Sequence, residues 1–171
     1  MDVLSYLLGK NASGGDTPSG GIDWSLIGYS EAPQSFTNDF NYAKDIYDNW
    51  ENVSELALKF KNDAQLVFCP LVDTSNATIF NQMFYNCTNL IYVPVLNTAN
   101  ATGFNSMFSL SIRLNDEALD NILQMCINAT SYTGIKTLKK LGFQSADYSS
   151  ARFEALPHWQ DFTEAGWTTG Y

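Results

Sequence analysis

Hydrophobic residues in the middle of this chain recur at a fixed interval of 24 positions. Residues 73–90 (DTSNATIFNQMFYNCTNL) align without a gap with residues 97–114 (NTANATGFNSMFSLSIRL), and nine of these eighteen positions are identical. The same phase continues one unit earlier, where Phe60 falls on the column of Phe84 and Phe108. A period of this length with recurring apolar columns is typical of proteins built from stacked repeats.

Each 24-residue unit carries a pattern that predicts a helix followed by a short strand. In the second unit, four apolar residues follow the i, i+3, i+4, i+7 spacing of one helical face. These residues are Phe80, Met83, Phe84 and Cys87. The segment LIYVP at 90–94 then reads as a strand, and DTSN at 73–76 supplies a turn. One unit cannot cover its own apolar face, so the units are expected to stack around a shared core.

Helical caps are expected at both ends of the repeat region. After residue 114 the repeat stops, and apolar residues at helical spacing predict an amphipathic helix with Asn115 or Asp116 as its N-cap. This apolar face comprises Leu119, Ile122, Leu123, Cys126 and Ile127. Shorter helices are predicted around 136–141 and 146–156, and the apolar spacing over 43–50 predicts another before the first unit.

These elements define an expected fold class, which is α/β. The chain should form a short solenoid of about three 24-residue coils, each made of a short strand plus a helix, with helical N- and C-terminal caps. The expected limits are 22–48 for the N-terminal cap, 49–120 for the coils and 115–171 for the C-terminal cap. One polar column, Asn52, Asn76 and Asn100, is expected to point inward and satisfy backbone groups at the turns.

The first 21 residues differ in character from the rest. Residues 11–21 (NASGGDTPSGG) have the composition of a flexible linker. Ahead of them, Leu4, Leu7 and Leu8 share one helical face within residues 1–10. Such a short helix is marginal alone in water, so these residues are either a frayed terminus or a docking peptide that anchors the chain to an assembly partner.

Composition excludes several classes of function. The chain has 171 residues and a net charge of −9, with 18 acidic residues against 9 scattered basic ones, so no nucleic-acid partner is expected. No apolar run is long enough for membrane insertion, and the first ten residues lack the features of a secretory signal. Three cysteines, a single histidine and no nucleophile motif leave no expected catalytic residue, metal or cofactor. The prediction is a protein that is not an enzyme.

The repeat columns DTSNAT…F..MFYNCTNL…VP.L resemble the BspA-type leucine-rich repeats, and the resemblance covers residues 49–114. The third unit departs from the pattern, because Ser111 stands in the column that Cys87 occupies in the second. The resemblance implies a leucine-rich-repeat-like solenoid, and the chain as a whole is similar to repeat proteins encoded by gut bacteria and their phages and prophages. Such proteins are implied to be surface or virion components, with no catalytic residues carried by the repeat.

The repeat spacing of that family also implies a candidate binding surface. It places Leu90, Val93 and Leu96 inward, so that the residues between them face outward. The outward set, with its counterparts one unit earlier, is Val67, Phe68, Leu71, Ile91, Tyr92 and Val95. An exposed apolar strip of this size would suit recognition of another molecule. The alternative is a period-two strand in which Phe68 and Tyr92 belong to the core.

Together these features predict a structural or recognition module of a phage or prophage particle, carried on the tail or capsid. Its expected partners are a virion or surface-assembly protein, bound through residues 1–10, and a host surface protein or glycan; self-association is left open. The alternatives are a bacterial cell-surface adhesin and, less in keeping with the sequence, a glycan-acting enzyme.

Overall fold

A computed structural model of the chain describes residues 56–67, 69 and 74–171. Within these residues there are four helices, all after residue 115: α1 (Asp116–Asn128), α2 (Leu138–Leu141), α3 (Ser150–Glu154) and α4 (Trp159–Glu164). The same residues contain no β-strand, only isolated bridges, among them the parallel ones that join Ile79 to Gly103 and Thr137 to Thr168. The expected α/β class, a leucine-rich-repeat-like solenoid of strand plus helix, is therefore wrong.

The segment predicted as a repeat helix is a series of β-turns. The amides of Met83 and Tyr85 donate to the carbonyls three residues earlier, those of Phe80 and Gln82, at 3.2 and 3.1 Å. Alternate amides do not bond within the segment. The amide of Phe84, for example, donates to the carbonyl of Met107, one unit later, at 2.9 Å. An α-helix would use all of these amides internally, so bonding to the neighbouring unit replaces the helix.

Left-handed backbone conformations repeat with the sequence period and make these turns possible. Two columns of non-glycine residues have φ between 55° and 66°. They are Leu58, Gln82 and Ser106 in one column, and Asn62, Asn86 and Leu110 in the other. The spacing i, i+3, i+4 of a helical face also fits these turns, which explains why the hydrophobic pattern indicated a helix.

The three described coils stack in register, as the repeat predicted. We refer to residues 56–69, 74–97 and 98–114 as the first, second and third coils. The ring of Phe84 lies 5.4 Å from that of Phe60 and 5.3 Å from that of Phe108, within 12° of parallel in both pairs. All three rings are at most 2% exposed. The expectation that these phenylalanines stack is confirmed, although the units that carry them are not strand–helix units.

The inward polar column consists of threonines instead of asparagines. Asn76 and Asn100 are exposed, so their predicted inward orientation is wrong, although Nδ2 of Asn100 does satisfy a backbone group, the carbonyl of Ser75, at 2.9 Å; Asn52 lies outside the described residues. Thr74 and Thr98 are at most 1% exposed, and their hydroxyls donate to the carbonyls of Asn97 and Met125 at 2.9 and 2.5 Å. A short hydroxyl side chain can satisfy one carbonyl inside the stack, whereas a buried amide has more donors and acceptors to satisfy.

Ser111 performs the same function in the third coil as Cys87 does in the second. The thiol of Cys87 donates to the carbonyl of Phe60 at 3.0 Å, and the hydroxyl of Ser111 donates to the carbonyl of Phe84 at 2.5 Å. The Ser111 oxygen also accepts the amide of Cys87 at 3.1 Å. The departure from the repeat pattern at this column therefore preserves the contact between coils.

Helix α1 begins where the coils end. Asn115 is its N-cap, because its Oδ1 accepts the amide of Ala118 at 2.8 Å, which confirms the expected cap. The predicted apolar face is buried at Leu119, Ile122, Leu123 and Cys126, and partly buried at Ile127. Helices α2 and α3 lie inside the two shorter segments predicted to be helical, and α4 was not predicted.

The segment that contains α2 covers the outer side of the third coil. The amides of Ser106 and Phe108 donate to the carbonyls of Lys140 and Leu141 at 2.9 and 2.8 Å. The ring of Phe143 lies 5.6 Å from that of Phe108, so it continues the stack of phenylalanines. The C-terminal cap thus occupies the position of a further coil. The expected N-terminal segments, 1–10, 11–21 and 22–48, and the helix over 43–50 lie outside the described residues.

Candidate recognition surface

The resemblance implied that every third residue of the segment 90–96 points inward, and the second coil has this arrangement. Leu90, Val93 and Leu96 are 0% exposed. Ile91, Tyr92 and Val95 are partly exposed, and Tyr92 and Val95 also pack against the core. Strict alternation does not hold, because Leu90 and Val93 are both inside; Tyr92 contributes to the core and to the surface.

The remaining predicted site residues have different positions. Val67 is only 8% exposed, so it offers little surface to a partner. Phe68, Leu71 and the proposed anchor residues Leu4, Leu7 and Leu8 lie outside the described residues. Ile91, Tyr92 and Val95 are therefore the part of the predicted surface that the structure describes, and we call them the second-coil strip.

The backbone of the second-coil strip is bonded to the first coil on one side and to Asn115, the N-cap of α1, on the other. The amide of Ile91 donates to the carbonyl of Val67 at 2.7 Å, and the carbonyl of Ile91 accepts the amide of Asn115 at 3.0 Å. The carbonyl of Tyr92 accepts the amide of Cys69 at 2.9 Å. These bonds fix the backbone that carries the partly exposed apolar side chains, as is expected of a preformed binding surface.

One end of the strip opens into a surface depression. Val95 lines a hollow of about 490 Å³ together with Ala99 of the third coil and Ile127, Asn128 and Thr130 at the end of α1. The depression has both apolar and amide or hydroxyl groups in its wall. It extends the strip from the second coil onto the C-terminal cap.

Exposed apolar residues outside the predicted strip were missed by the sequence reasoning. Leu58, Leu110 and Ile112 of the coils are 53%, 44% and 51% exposed. Leu58 and Leu110 both stand at left-handed positions that hold polar residues elsewhere in their columns. The sequence does contain a signal for these two residues, which is a leucine in a repeat column where the other units have Gln, Ser or Asn.

Polar side chains lie near these exposed apolar residues on the turns of the first and second coils. The Lys61 ammonium donates to Oε1 of Gln82 at 2.7 Å and lies 5.1 Å from the centre of the Tyr85 ring. Nδ2 of Asn86 donates to Oδ1 of Asn62 at 3.0 Å. These bonds join side chains of neighbouring coils, so this surface is tied together from one coil to the next.

The cysteines do not have the properties of nucleophiles. Cys69, Cys87 and Cys126 are reduced, and each is at most 1% exposed. Burial raises the pKa of the Cys87 thiol to about 12, and burial raises the pKa values of the Cys69 and Cys126 thiols further. A reactive cysteine needs an accessible thiolate near neutral pH, which these environments oppose.

The single histidine belongs to a structural contact between helices. Its Nδ1 lies 2.7 Å from Oδ2 of Asp120, and its backbone amide donates to the other carboxylate oxygen at 2.9 Å. Asp120 on α1 thus holds His158, which is the N-cap residue of α4. Among the residues that the structure describes, no group of three or more His, Cys, Asp or Glu side chains is arranged to hold a metal ion.

In the described part of the chain, no helix has both the length and the apolar character required to cross a bilayer. Comparison with known proteins finds no matching family model, no matching curated protein and no matching solved structure. The resemblance to BspA-type repeats therefore stays a prediction from the sequence columns.

Proposed function

We propose that this chain is a non-enzymatic recognition and structural module of a phage or prophage particle, carried on the tail or capsid. In this proposal the coil surface contacts a host surface protein or glycan. The observation that supports it best is the second-coil strip, where apolar side chains are partly exposed on a backbone bonded to the first coil on one side and to the N-cap of α1 on the other. A surface that is already ordered loses little conformational entropy on binding.

The chemistry of the described residues favours binding over catalysis. The three thiols are buried with raised pKa values, and His158 is engaged by Asp120 through two contacts. The side chains left at the surface of the described coils are mostly amides, hydroxyls and scattered apolar groups, with a few charged side chains such as Lys61 and Arg113. Such groups contribute hydrogen bonds and contact area to a partner without a proton-transfer or nucleophilic step.

The assignment to a particle depends on the sequence of the first 21 residues. Leu4, Leu7 and Leu8 would dock into a virion protein, and the linker at 11–21 would let the repeat domain reach a host surface. Several copies on one particle would allow weak contacts to add up by avidity, provided that the linker spans neighbouring sites.

The recognition surface is tested with one substitution in the strip and one matched control. Ile91→Asn removes an apolar side chain from the strip, and Ile135→Asn makes the same change at a site 69% exposed in the cap. We expect Ile91→Asn to weaken binding of the purified protein to host cells about tenfold, with Ile135→Asn unchanged, since loss of an interface anchor costs more than about 1 kcal/mol. Thermal unfolding of each variant checks the fold. Equal binding by both variants would refute the strip as the contact surface.

The particle assignment has a separate test. Purified particles from the source should contain the protein by mass spectrometry, and the full chain should bind particles while residues 22–171 should not. Binding of residues 22–171 equal to that of the full chain would exclude the anchor role of residues 1–10. Detection in the cell-surface fraction, with none in particles, would favour the adhesin alternative.

A further inference from the structure

A polar pocket lies where the C-terminal cap meets the third coil. Its volume is about 380 Å³, which falls within the range of about 300–1,000 Å³ that small-molecule sites occupy. The polar and aromatic groups of its wall come from both regions: Ser106 and Ser109 of the third coil, and Lys139, Gln144, Ser145 and Tyr171 of the cap. We call this the junction pocket. It shares no lining residue with the second-coil strip.

The space of the junction pocket exists because the third coil has small side chains in two repeat columns. Ser106 stands in the column of Gln82, and Ser109 stands in the column of Tyr85. Glutamine and tyrosine are both much larger than serine. The third coil therefore leaves open, beside the cap, the positions that the second coil fills with side chains.

Backbone contacts between the cap and the third coil hold the wall of the pocket in place. The amide of Ser106 donates to the carbonyl of Lys140 at 2.9 Å. Gly142, which also lines the pocket, approaches the coil so closely that a Cβ on it would lie 2.8 Å from the Cα of Ser109. The two sides of the pocket are thus joined by main-chain atoms, so the pocket is formed before a ligand arrives.

The junction pocket combines one fixed aromatic ring with polar side chains that are free to bind a ligand. Tyr171 is 37% exposed, and its hydroxyl donates to the carbonyl of Tyr148 at 2.7 Å, which holds the ring in place. The other polar side chains of the wall make no hydrogen bond or ion pair within the described part of the chain; they are those of Ser106, Ser109, Lys139, Gln144 and Ser145. Their donors and acceptors are available to a ligand.

These groups match the chemistry of a neutral sugar. A sugar ring has a face of C–H groups, which packs on an aromatic ring, and hydroxyls that both donate and accept hydrogen bonds. Serine and glutamine side chains also donate and accept. An anionic ligand is disfavoured, because Lys139 is the one cationic side chain among the described residues of the wall and the chain carries a net charge of −9.

We propose that the junction pocket binds one neutral saccharide unit, with its C–H face on Tyr171 and its hydroxyls bonded to the serine, glutamine and lysine side chains. The pocket opens to solvent between exposed residues, so it accepts either a free sugar or one unit of a glycan chain. The inference depends neither on binding at the second-coil strip nor on the assignment of the chain to a particle.

Titration of the full chain with free sugars, followed by the chemical shifts of its backbone amides, tests the proposal. The neutral probes are glucose, galactose, mannose, fucose, xylose, N-acetylglucosamine and N-acetylgalactosamine, and the charged probes are glucuronic acid and N-acetylneuraminic acid. We expect at least one neutral sugar to bind with a Kd of about 1–10 mM and to shift the amides of Ser109, Gly142 and Gln144. No saturable binding of any neutral sugar, binding of the charged sugars alone, or shifts confined to other residues would overturn the proposal.

Two variants show whether the pocket is the site of binding. Ser106→Gln introduces the residue that the second coil carries at the same left-handed position, with φ 55° at both Gln82 and Ser106, so the backbone accepts the side chain that fills the pocket. Tyr171→Leu keeps an apolar side chain and removes the ring. Each should weaken sugar binding about tenfold, whereas Ser131→Gln, at an exposed residue outside the pocket, should leave the affinity within about twofold. Thermal unfolding checks the fold, and unchanged affinity in both pocket variants would overturn the proposal.

Two further measurements separate this site from the strip and identify the source of the sugar. Ile91→Asn, the strip variant, should bind the sugar with unchanged affinity, and loss of sugar binding in that variant with the fold intact would exclude the pocket as the site. Binding to an immobilised homopolysaccharide of the same sugar would identify a glycan chain as the ligand. Binding of the free sugar without binding of the polymer would identify a soluble sugar, and both results support the site.

Discussion

The coils and the C-terminal cap bury similar aromatic residues in different ways. In the coils, the phenylalanine rings at 60, 84 and 108 lie face to face, within 12° of parallel. In the cap, the ring of Phe143 meets those of Tyr148 and Phe153 nearly at right angles, at 79° and 83°. Units related by translation present the same ring in the same orientation, so their rings must stack. The cap has no such constraint, and its rings combine edge-to-face pairs around Phe143 with stacked pairs such as Tyr132 with Trp167, at 13°.

The backbone hydrogen bonds of the two regions also differ, because those of the coils join neighbouring units and many of those in the cap are local. Alternate amides of the turns in the coils donate to carbonyls 23 residues later, as Leu56 does to Ile79 and Phe80 does to Gly103. In the cap, the first turns of three helices are capped locally. The side chains of the N-cap residues Asn115, Thr137 and Ser149 each accept the backbone amide of the residue three positions later. Each coil therefore depends on its neighbours for its secondary structure, whereas most of the cap is organised locally.

The largest effect is expected at the centre of the coils. Phe84→Ala removes a ring that is 0% exposed and stacks on two others. Burial and cavity effects for Phe→Ala in a core cost about 3–5 kcal/mol, and we expect the upper part of that range for the free energy of unfolding in urea. Phe153→Ala is the cap control, also 0% exposed, and should cost less because an edge-to-face cluster can close around the gap. Equal losses would remove the distinction between the regions.

The second prediction concerns the junction at which the cap docks on the third coil. Gly142 has φ +103°, and a Cβ there would lie 2.6 Å from the Ser109 backbone nitrogen. Gly142→Ala is therefore expected to cost about 3 kcal/mol, from left-handed strain of about 1–2 kcal/mol plus displacement of the coil backbone. The measurement is the urea midpoint together with the slope of the transition.

Gly166→Ala supplies the control for that prediction. Gly166 also has a positive φ, +83°, but a Cβ there would meet only the Lys136 side chain, at 3.9 Å. We expect a loss of about 1 kcal/mol, which is the strain alone. If the two alanine variants were equally stable, close docking of the cap against Ser109 would be disproved.

The cap was easier to predict from the sequence than the coils were. Helix α1 has an N-cap side chain and an apolar face of period 3.6, and both are local signals that its own residues can fulfil. The same type of spacing at Phe80, Met83, Phe84 and Cys87 indicated a helix that does not exist. This segment forms turns instead of a helix because alternate amides donate to carbonyls of the next coil. A local hydrophobic pattern contains no information about those distant carbonyls.

The repeat register was nevertheless predictable, because it depends on comparing distant positions of the sequence. The alignment of Phe60, Phe84 and Phe108 predicted their stacking, and the rings do stack. The orientation of Asn76 and Asn100 was not predictable in this way, since a column can recur because it faces a turn at the surface as well as because it is buried. The partial exposure of the second-coil strip was predicted by the spacing of the family it resembles and not by an alternation of inward and outward residues along a strand.

The third prediction concerns Tyr148, which joins the two regions. Its hydroxyl donates to the carbonyl of Ser111 at 2.7 Å and accepts the amide of Leu114 at 3.0 Å. Tyr148→Phe would leave both backbone groups buried without this partner, and we expect a loss of about 2 kcal/mol at pH 7. Tyr85→Phe is the matched control, because Tyr85 is partly exposed, and it should change stability by less than about 0.5 kcal/mol.

The raised pKa of Tyr148 also predicts how the free energy of unfolding changes with pH. Burial raises the pKa of Tyr148 from 10.0 to about 12, so the folded state keeps a proton that the unfolded state has lost. The free energy of unfolding should be unaffected by this group below pH 10 and fall between pH 10 and 12, by about 1.4 kcal/mol per pH unit. Chemical denaturation across this range should show a shallower fall for Tyr148→Phe. An identical slope would show that Tyr148 does not titrate differently in the two states.

The smallest effect is expected at Leu110, and its sign is opposite to that of the others. Leu110 has φ 64° and is 44% exposed, in a column that holds Asn62 and Asn86 in the other coils. Asn accepts the left-handed conformation more readily than Leu does, so Leu110→Asn should stabilise the protein by about 0.5–1 kcal/mol. Ile112→Asn is the control: Ile112 is 51% exposed without a left-handed φ, so its stability should stay within about 0.5 kcal/mol. A destabilised Leu110→Asn variant would mean that the leucine side chain contributes more to the third coil than its exposure and backbone conformation indicate.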